Sequence, residues 1–434
     1  MNILLLGSGG REHAFARALS LSIGISKLHI APGNAGTGEC GQNVQLNPLD
    51  FEAVYKFCID NEISLLVPGN EDPLVHGIVD FINAKNIEFS TSIKVAGPNQ
   101  YCAQLEGSKD FAKAFMIRHN IPTAAYKTFD HQNISEAGDF FSQLQPPYVL
   151  KADGLAAGKG VIITSDLAEA KKILKDMILG GMFGEASKSV VIEEFLTGIE
   201  ISVFAIGDGN SYKILASAKD YKRIYDNDKG PNTGGMGAIS PVPFADEAFM
   251  LKVENEIIRP TFEGLKSEGN PFKGFLFLGL MNVDGQPKVI EYNVRMGDPE
   301  TEAIFPRLKT NMLEMLNGIA QGNISELDLE IDSRTAATIF LVSGGYPGNI
   351  EKGKKITLPN DSMIGSNQYI FHAGTALKDG ELFTNGGRVI AVTSLNGDIL
   401  SALNDSNKLA SEINFDGKFN RKDIGLDLLN YEKN

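Results

Sequence analysis

The sequence predicts an α/β protein of several domains, and three observations predict it. Over the first hundred residues, short apolar segments alternate with glycine-containing loops and helix-like stretches. Two glycine-bearing hairpins follow in the middle of the chain. The length of 434 residues exceeds what a single compact core organises.

The apolar segments at residues 2–6, 27–30 and 64–67 are each followed by a polar glycine loop, GSGGRE, APGNAG and PGNED. Residues 11–20 and 50–61 read as helices between them. Strand, loop and helix in repetition describe a parallel sheet covered on both faces. Ligands of such sheets bind beyond the carboxyl ends of the strands, where these loops fall. The first loop carries Gly7-x-Gly9-x-x-Glu12, an incomplete dinucleotide fingerprint because its third position is Glu. It retains Gly9 and Gly10, whose backbone N–H groups are free for an anion at a helix N-terminus, and Arg11, a fixed positive charge. A tight turn without a ligand is the plainer reading. Asn34, Glu71 and Asp72 read equally as ligand contacts or helix caps.

A helix starts after Ser108, a suitable N-cap, and is stopped by Pro122. Lys109 stands in its first turn, against the helix dipole, as a phosphate contact or a solvated lysine. Strands at 148–151 and 161–164 flank a loop with Gly154, Gly158, Lys159 and Gly160. This is not a Walker A loop: one residue is missing between the glycines, no Ser or Thr follows the lysine, and a strand follows. It reads as a hairpin whose tip closes over phosphate oxygens with backbone N–H groups, with Lys151 adding charge. Residues 190–192 form a buried strand, interrupted by Glu193 and Glu194. Residues 199–206 alternate as a half-buried strand. Residues 226–237 offer nothing from which to build a core and read as a structureless lid, flanked by Asp220, Tyr221, Lys222 and Arg223. Asp284-Gly285 joins two strands in a hairpin, and Glu291, Asn293 and Arg295 fall on one face of the second. Glu291 and Asn293 are hard oxygen ligands suited to Mg²⁺, or else part of an ordinary polar face. Asp298-Pro299-Glu300 turns the chain into a helix.

Composition bounds the function. There are 40 basic and 54 acidic residues, a net charge of −14, which excludes nucleic acid and anionic membranes as partners. Three cysteines without a C-x-x-C pair fit a reducing cytoplasm and argue against disulfides or zinc. The N-terminus has no basic segment before its apolar run, and no run approaches a membrane span. The six histidines are scattered without ligand spacing, and no Ser–His–Asp set is visible.

The segments GSGGREHA, APGNAG, EGSKDFAKAFM, KADGLAAGKGV, VVIEEFLTGIE, KDYKR, GPNTGGMGAISP, IEYNVRMGDPETEA and NGGRV, in this order, closely resemble the phosphoribosylamine–glycine ligase (glycinamide ribonucleotide synthetase) family of the ATP-grasp superfamily. The resemblance covers nearly the whole chain. It implies an N-terminal domain at 1–101, an ATP-grasp domain at 102–325 with a mobile lid at about 125–190, and a mixed α+β C-terminal domain at 326–434. It implies a cytoplasmic, monofunctional ligase, expected to be a monomer, that uses ATP as co-substrate with Mg²⁺ or Mn²⁺. Glycine and 5-phosphoribosylamine are joined through a glycyl phosphate.

By this resemblance Lys109 and Lys151 contact the ATP phosphates, with the loop Gly154–Gly160, including Gly158 and Lys159, closing over them. Glu193, Phe195 and Glu200 line the adenosine site, and Glu291 and Asn293 bind the metal. Arg295, Asp220 and Lys222 lie near the γ-phosphate and substrates. Gly9, Gly10, Arg11, Asn34, Asp72 and Asp298 hold substrate. The chain departs from the family in having Tyr221 where His is common and Met296 where Phe is common. It also carries no metal carboxylate on FLFLGLM. Other ATP-grasp ligases or carboxylases, an NAD-dependent dehydrogenase and an inactive nucleotide-binding regulator are the alternatives.

Overall fold

The computed structural model describes residues 1–156 and 160–432, so Gly158 and Lys159 lie outside the described residues. The N-terminal sheet is parallel, in the order Gln42–Asn43, Lys27–Pro32, Asn2–Gly7, Ile63–Pro68, Lys94–Val95. Its inner strands are apolar along their whole length because both faces are covered: Leu4, Leu5, Leu65 and Leu66 are fully buried. The two outer strands, of two residues each, are too short to leave a periodic trace.

The central sheet is antiparallel, in the order Tyr212–Ile214, Ile199–Asp208, Lys273–Val283, Gln286–Asn293. Asp284 and Gly285 take φ of 50° and 80°, the left-handed pair that a two-residue hairpin requires. The expected half-buried strand at 199–206 is corrected: Ile201–Asp208 is buried throughout. Helix Met312–Gln321 packs on this strand, and Phe262 of helix Arg259–Ser267 packs against Gly207.

A third sheet is built from Tyr126–Asp130, Ser189–Glu193, Tyr148–Ala152 and Val161–Thr164, neighbours in that order. The expected glycine hairpin is its outer half. This subdomain has a core of its own, including Phe129, Phe141, Leu174 and Ile192, separate from the core shared by the rest of the chain.

The last sheet is antiparallel, in the order Lys219–Asp220, Gly237–Ser240, Thr335–Val342, Arg388–Asn396, Gln368–His372. Two strands from before residue 241 therefore complete the C-terminal sheet, and Asp220 stands at its edge. The expectation of a structureless segment at 226–237 is corrected. Arg223–Tyr225 and Lys229–Asn232 form a hairpin, tied down by Arg421, which donates to Asp228 and to the Arg223 carbonyl. Its polar composition reflects an exposed ribbon. Among the described residues no helix is long and apolar enough to cross a membrane.

Because the core of this subdomain is separate, its disruption is local. Phe141→Ala removes a side chain that is 1% exposed and costs the subdomain about 3–5 kcal/mol. Amide exchange should accelerate over 126–193 and hold elsewhere; equal acceleration throughout would contradict two separate cores.

Candidate active site

Two adjoining cavities, of about 630 and 380 Å³, open between the sheets. Asp298 and Arg388 line both, so these two residues form the boundary.

The floor of the larger cavity is the strand Gln286–Asn293. A bulge sets Glu291 opposite Gly279 and Val289 opposite Leu280, leaving Ile290 extra. Glu291 and Asn293 both line the cavity, followed by Arg295 beyond the strand end. A Cβ at Gly279 would stand 3.0 Å from the Glu291 Cγ, so the missing side chain on the neighbouring strand leaves Glu291 room.

Lysines surround this floor. Lys151, at the end of its strand, donates to the Ile290 carbonyl at 3.2 Å and pairs with Glu193 at 3.0 Å. Lys109 rests on the Asp153 and Gly154 carbonyls at 3.4 and 3.3 Å, which joins its helix to the base of the glycine loop. Burial lowers its proton affinity. Ser108 caps that helix, as expected, by accepting from the Phe111 N–H. Burial favours the neutral form of Glu291, but Lys222, Lys151 and Lys109 outweigh it and hold the carboxyl below its ordinary value. Lys222 lies 3.3 Å from Glu200, 3.9 Å from Glu291 and 4.0 Å from Asp220. Burial raises the Asp220 carboxyl, and burial with Asp220's charge raises Glu300 to about 7. Glu300 accepts from the Ser202 hydroxyl at 2.8 Å.

No group of three His, Cys, Asp or Glu side chains among the described residues is placed to hold a metal. Glu291 and Asn293 remain as a two-oxygen set. Glu291 is ionised, and Asn293 Oδ1 accepts from Arg295 at 3.1 Å with one lone pair left. Such a pair fits Mg²⁺, which keeps its other positions for water and phosphate oxygens.

Where the two cavities meet the N-terminal domain, charges alternate along a chain buried at Arg11, Glu12 and Glu106 and half-buried at Glu71 and Arg295. Arg11 Nε donates to Glu12 at 2.6 Å and Arg11 lies 3.9 Å from Glu71. Glu71 pairs with Arg295 at 3.2 Å, and Arg295 pairs with Glu106 at 2.8 Å. Burial opposes ionisation of Glu71, but Arg295 and Arg11 prevail and lower it to about 2. At Glu106 burial prevails over Arg295, and the carboxyl rises to about 7. One expectation is corrected. The Gly9 N–H is not free for an anion, since it donates to Glu12 at 2.6 Å. Arg11, the fixed positive charge, is paired with Glu12 and Glu71 and lines the cavity beside Asp72.

The smaller cavity is lined by Gly9, Asn34, Tyr346, Thr375, Asn385 and Arg388, among others. Arg388 pairs with Asp298 at 2.9 Å. Asn34 lines this cavity, and its side chain takes the capping role, one of its two expected roles. Its amide donates to the Ser8, Gly9 and His372 carbonyls, and its oxygen accepts from Gly36 and Thr37. Its side chain is fully engaged by protein.

Lys109, Lys151, Gly160, Glu193, Asp220 and Lys222 line the larger cavity, and Asp298 lines both. Gly10, Gly154, Phe195 and Glu200 line neither. Gly10 packs against Glu302, and the Gly154 N–H donates to the Ala186 carbonyl at 3.2 Å. Phe195 is exposed, and Glu200 reaches the site through Lys222. Tyr221 is buried, and its hydroxyl donates to Asp427 at 2.6 Å. Met296 contributes its carbonyl, which accepts from Arg11 and Arg295, so the departure from Phe leaves these bonds intact.

Sequence reasoning missed Glu106, Lys113, Glu300 and Glu302. Lys113 is 2% exposed and pairs with Glu193 at 3.2 Å; burial lowers it to about 8. Its position between Ala112 and Met116 on the apolar side of the helix was the available signal.

Glu106 is neutral in the fold at pH values where it is ionised in the unfolded chain. The folded state binds the extra proton, so this contribution is complete below about 4.5 and is lost as pH rises through about 7. Glu106→Gln should flatten the fall in urea-denaturation stability between those values. An unchanged slope would contradict the assignment.

With this geometry in place, comparison with known proteins becomes specific. Residues 1–106 match the N domain of phosphoribosylglycinamide synthetase, residues 107–301 its ATP-grasp (A) domain, and residues 336–427 its C domain. A phosphoribosylamine–glycine ligase of Vibrio cholerae is 43% identical over 98% of both chains. The bifunctional purine biosynthetic protein ADE1 of Schizosaccharomyces pombe is also 43% identical, over 98% of this chain, which spans about half (54%) of that longer protein. The crystal structure of phosphoribosylamine–glycine ligase from Thermotoga maritima superposes with a TM-score of 0.83 at 37% identity, covering 98% of this chain and 100% of that one. The chain belongs to the phosphoribosylglycinamide synthetase family.

Proposed function

We propose that this chain is an ATP-dependent ligase that joins glycine to 5-phosphoribosylamine, giving glycinamide ribonucleotide, ADP and phosphate in purine synthesis. The observation that carries this reading is the pair of cavities meeting at Asp298 and Arg388, the larger one ringed by lysines. Two ligands can then be held at once with their reacting ends facing.

In this reading ATP and glycine occupy the larger cavity, and the ribosyl phosphate occupies the smaller. Lys109 and Lys151 neutralise phosphate oxygens, and Glu193 orients both Lys151 and Lys113. Glu291 and Asn293 hold Mg²⁺, which when bound offsets phosphate charge. A glycine carboxylate oxygen attacks the γ-phosphorus and ADP leaves. The amine nitrogen then attacks the acyl carbon of glycyl phosphate and phosphate leaves. Arg295, anchored by Glu71 and Glu106, faces the developing charge, and Lys222 is held toward it by Glu200 and Asp220. Phosphoryl transfer asks mainly for alignment and charge neutralisation, so no protein nucleophile is required. The lid subdomain serves to keep water from an acyl phosphate that hydrolyses readily. A cytoplasmic monomer suits small soluble substrates and the unpaired cysteines.

ADP release should require glycine and phosphoribosylamine together. Equal turnover with bicarbonate or another amino acid, measured by a coupled ADP assay, would reassign the substrates. Glu291→Ala should lower turnover about 100-fold or more while leaving the thermal transition in place. Undiminished turnover would remove Glu291 from the site.

A further inference from the structure

Glu302 is an unusual side chain for the inside of a protein. It lies on helix Glu300–Ile304, is fully buried, and neither of its carboxyl oxygens receives a hydrogen bond from the described residues. Its neighbours are Gly10, whose missing Cβ leaves room for it, and Asp298, within hydrogen-bond reach. Arg388, the nearby cation, directs its Nη2 to Asp298 Oδ1 at 2.9 Å and its Nη1 to the Asp298 carbonyl at 2.8 Å. A buried carboxylate whose nearby cation is committed to a neighbouring carboxylate is strongly disfavoured, whereas a carboxylic acid supplies one O–H donor. Burial, and then the charge of Asp298, raise Glu302 well above the ordinary carboxyl range. Glu302 is therefore the neutral donor and Asp298 the acceptor. The pair carries one negative charge, facing Arg388 and, farther off, Arg11.

We propose that Asp298, held by Arg388 and by a protonated Glu302, accepts the proton that the amine loses when the amide bond forms. This rests on the ligase reading above. Asp298 lines both cavities, so it stands at the boundary where the amine of one ligand meets the acyl carbon of the other. As the N–C bond forms, the attacking nitrogen becomes positively charged. The C–O bond to phosphate then breaks, with its electron pair leaving on phosphate. One N–H proton passes to Asp298 and is released afterwards to water or the departing phosphate. Asp298 is the catalytic residue here, and Glu302 a positioning residue acting through it.

The test measures ADP and glycinamide ribonucleotide separately, with ATP, glycine and phosphoribosylamine all present and again with glycine left out. The wild-type protein should give one ADP per product. Asp298→Asn should lower product formation about 100-fold, the usual scale of a lost acid–base group. ADP should fall less, so that it exceeds product severalfold, and the excess ADP should vanish when glycine is left out. That pattern marks glycyl phosphate formed but not aminated. Glu302→Ala should show the same uncoupling more weakly, about 10-fold in product, and Glu302→Gln, which restores a neutral donor of the same length, should recover most of the loss. ADP and product falling in parallel in Asp298→Asn, product at the wild-type rate, or Glu302→Gln as impaired as Glu302→Ala would each overturn the inference. Absence of any glycine-dependent product from the wild-type protein would overturn the ligase reading, and the inference with it.

Discussion

The chain of alternating charges from Glu12 through Arg11, Glu71 and Arg295 to Glu106 is the interaction on which the site depends. It joins the first and third loops of the parallel sheet to helix Gln100–Gly107 and to the end of the floor strand. Removing one partner of such a pair leaves an uncompensated buried charge, which costs about 3–5 kcal/mol. The chain therefore fixes two sequence-distant loops against residues 293–298, the segment carrying the metal-ligand candidate, Arg295 and Asp298. It also resolves an apparent conflict between a net charge of −14 and anionic substrates. Positive charge is concentrated at the site by fixed pairing, and acidic neighbours set which cations are neutralised and which face the cavity.

Much of the architecture was legible in the sequence. The parallel sheet followed from apolar runs ending in glycine loops, and the Asp284-Gly285 turn and the glycine hairpin fell where their residue chemistry placed them. The strand at 199–208 was misread because periodicity reports the alternation along a strand and not what covers its second face. The ribbon at 223–232 was misread because its support, Arg421, lies almost two hundred residues away.

The site was legible as a set of proposed phosphate and metal contacts but not as a network. Lys109 and Lys151 stand at a helix start and a strand end near glycines, Glu291 and Asn293 alternate on one strand face, and that local context marks them. Glu106, Glu300 and Glu302 lie on helices, where a carboxylate ordinarily faces solvent. Only the tertiary fold turns them inward. The reverse error befell Gly9. Its loop chemistry suggested an N–H open to a ligand, but Glu12 already occupies it. A protein carboxylate at the helix N-terminus stands where a dinucleotide would need a free N–H, which also explains why the incomplete glycine fingerprint is not a nicotinamide site.

The central claim is that the site is divided, with the nucleotide on one side of Asp298 and Arg388 and the ribosyl phosphate on the other. The most direct measurement is a crystal structure with a non-hydrolysable ATP analogue and glycinamide ribonucleotide bound together. The account predicts the triphosphate among Lys109, Lys151 and Glu291, and the ribosyl phosphate in the cavity lined by Gly9, Thr375 and Asn385. Both ligands in the larger cavity, with the smaller one left to water, would contradict it.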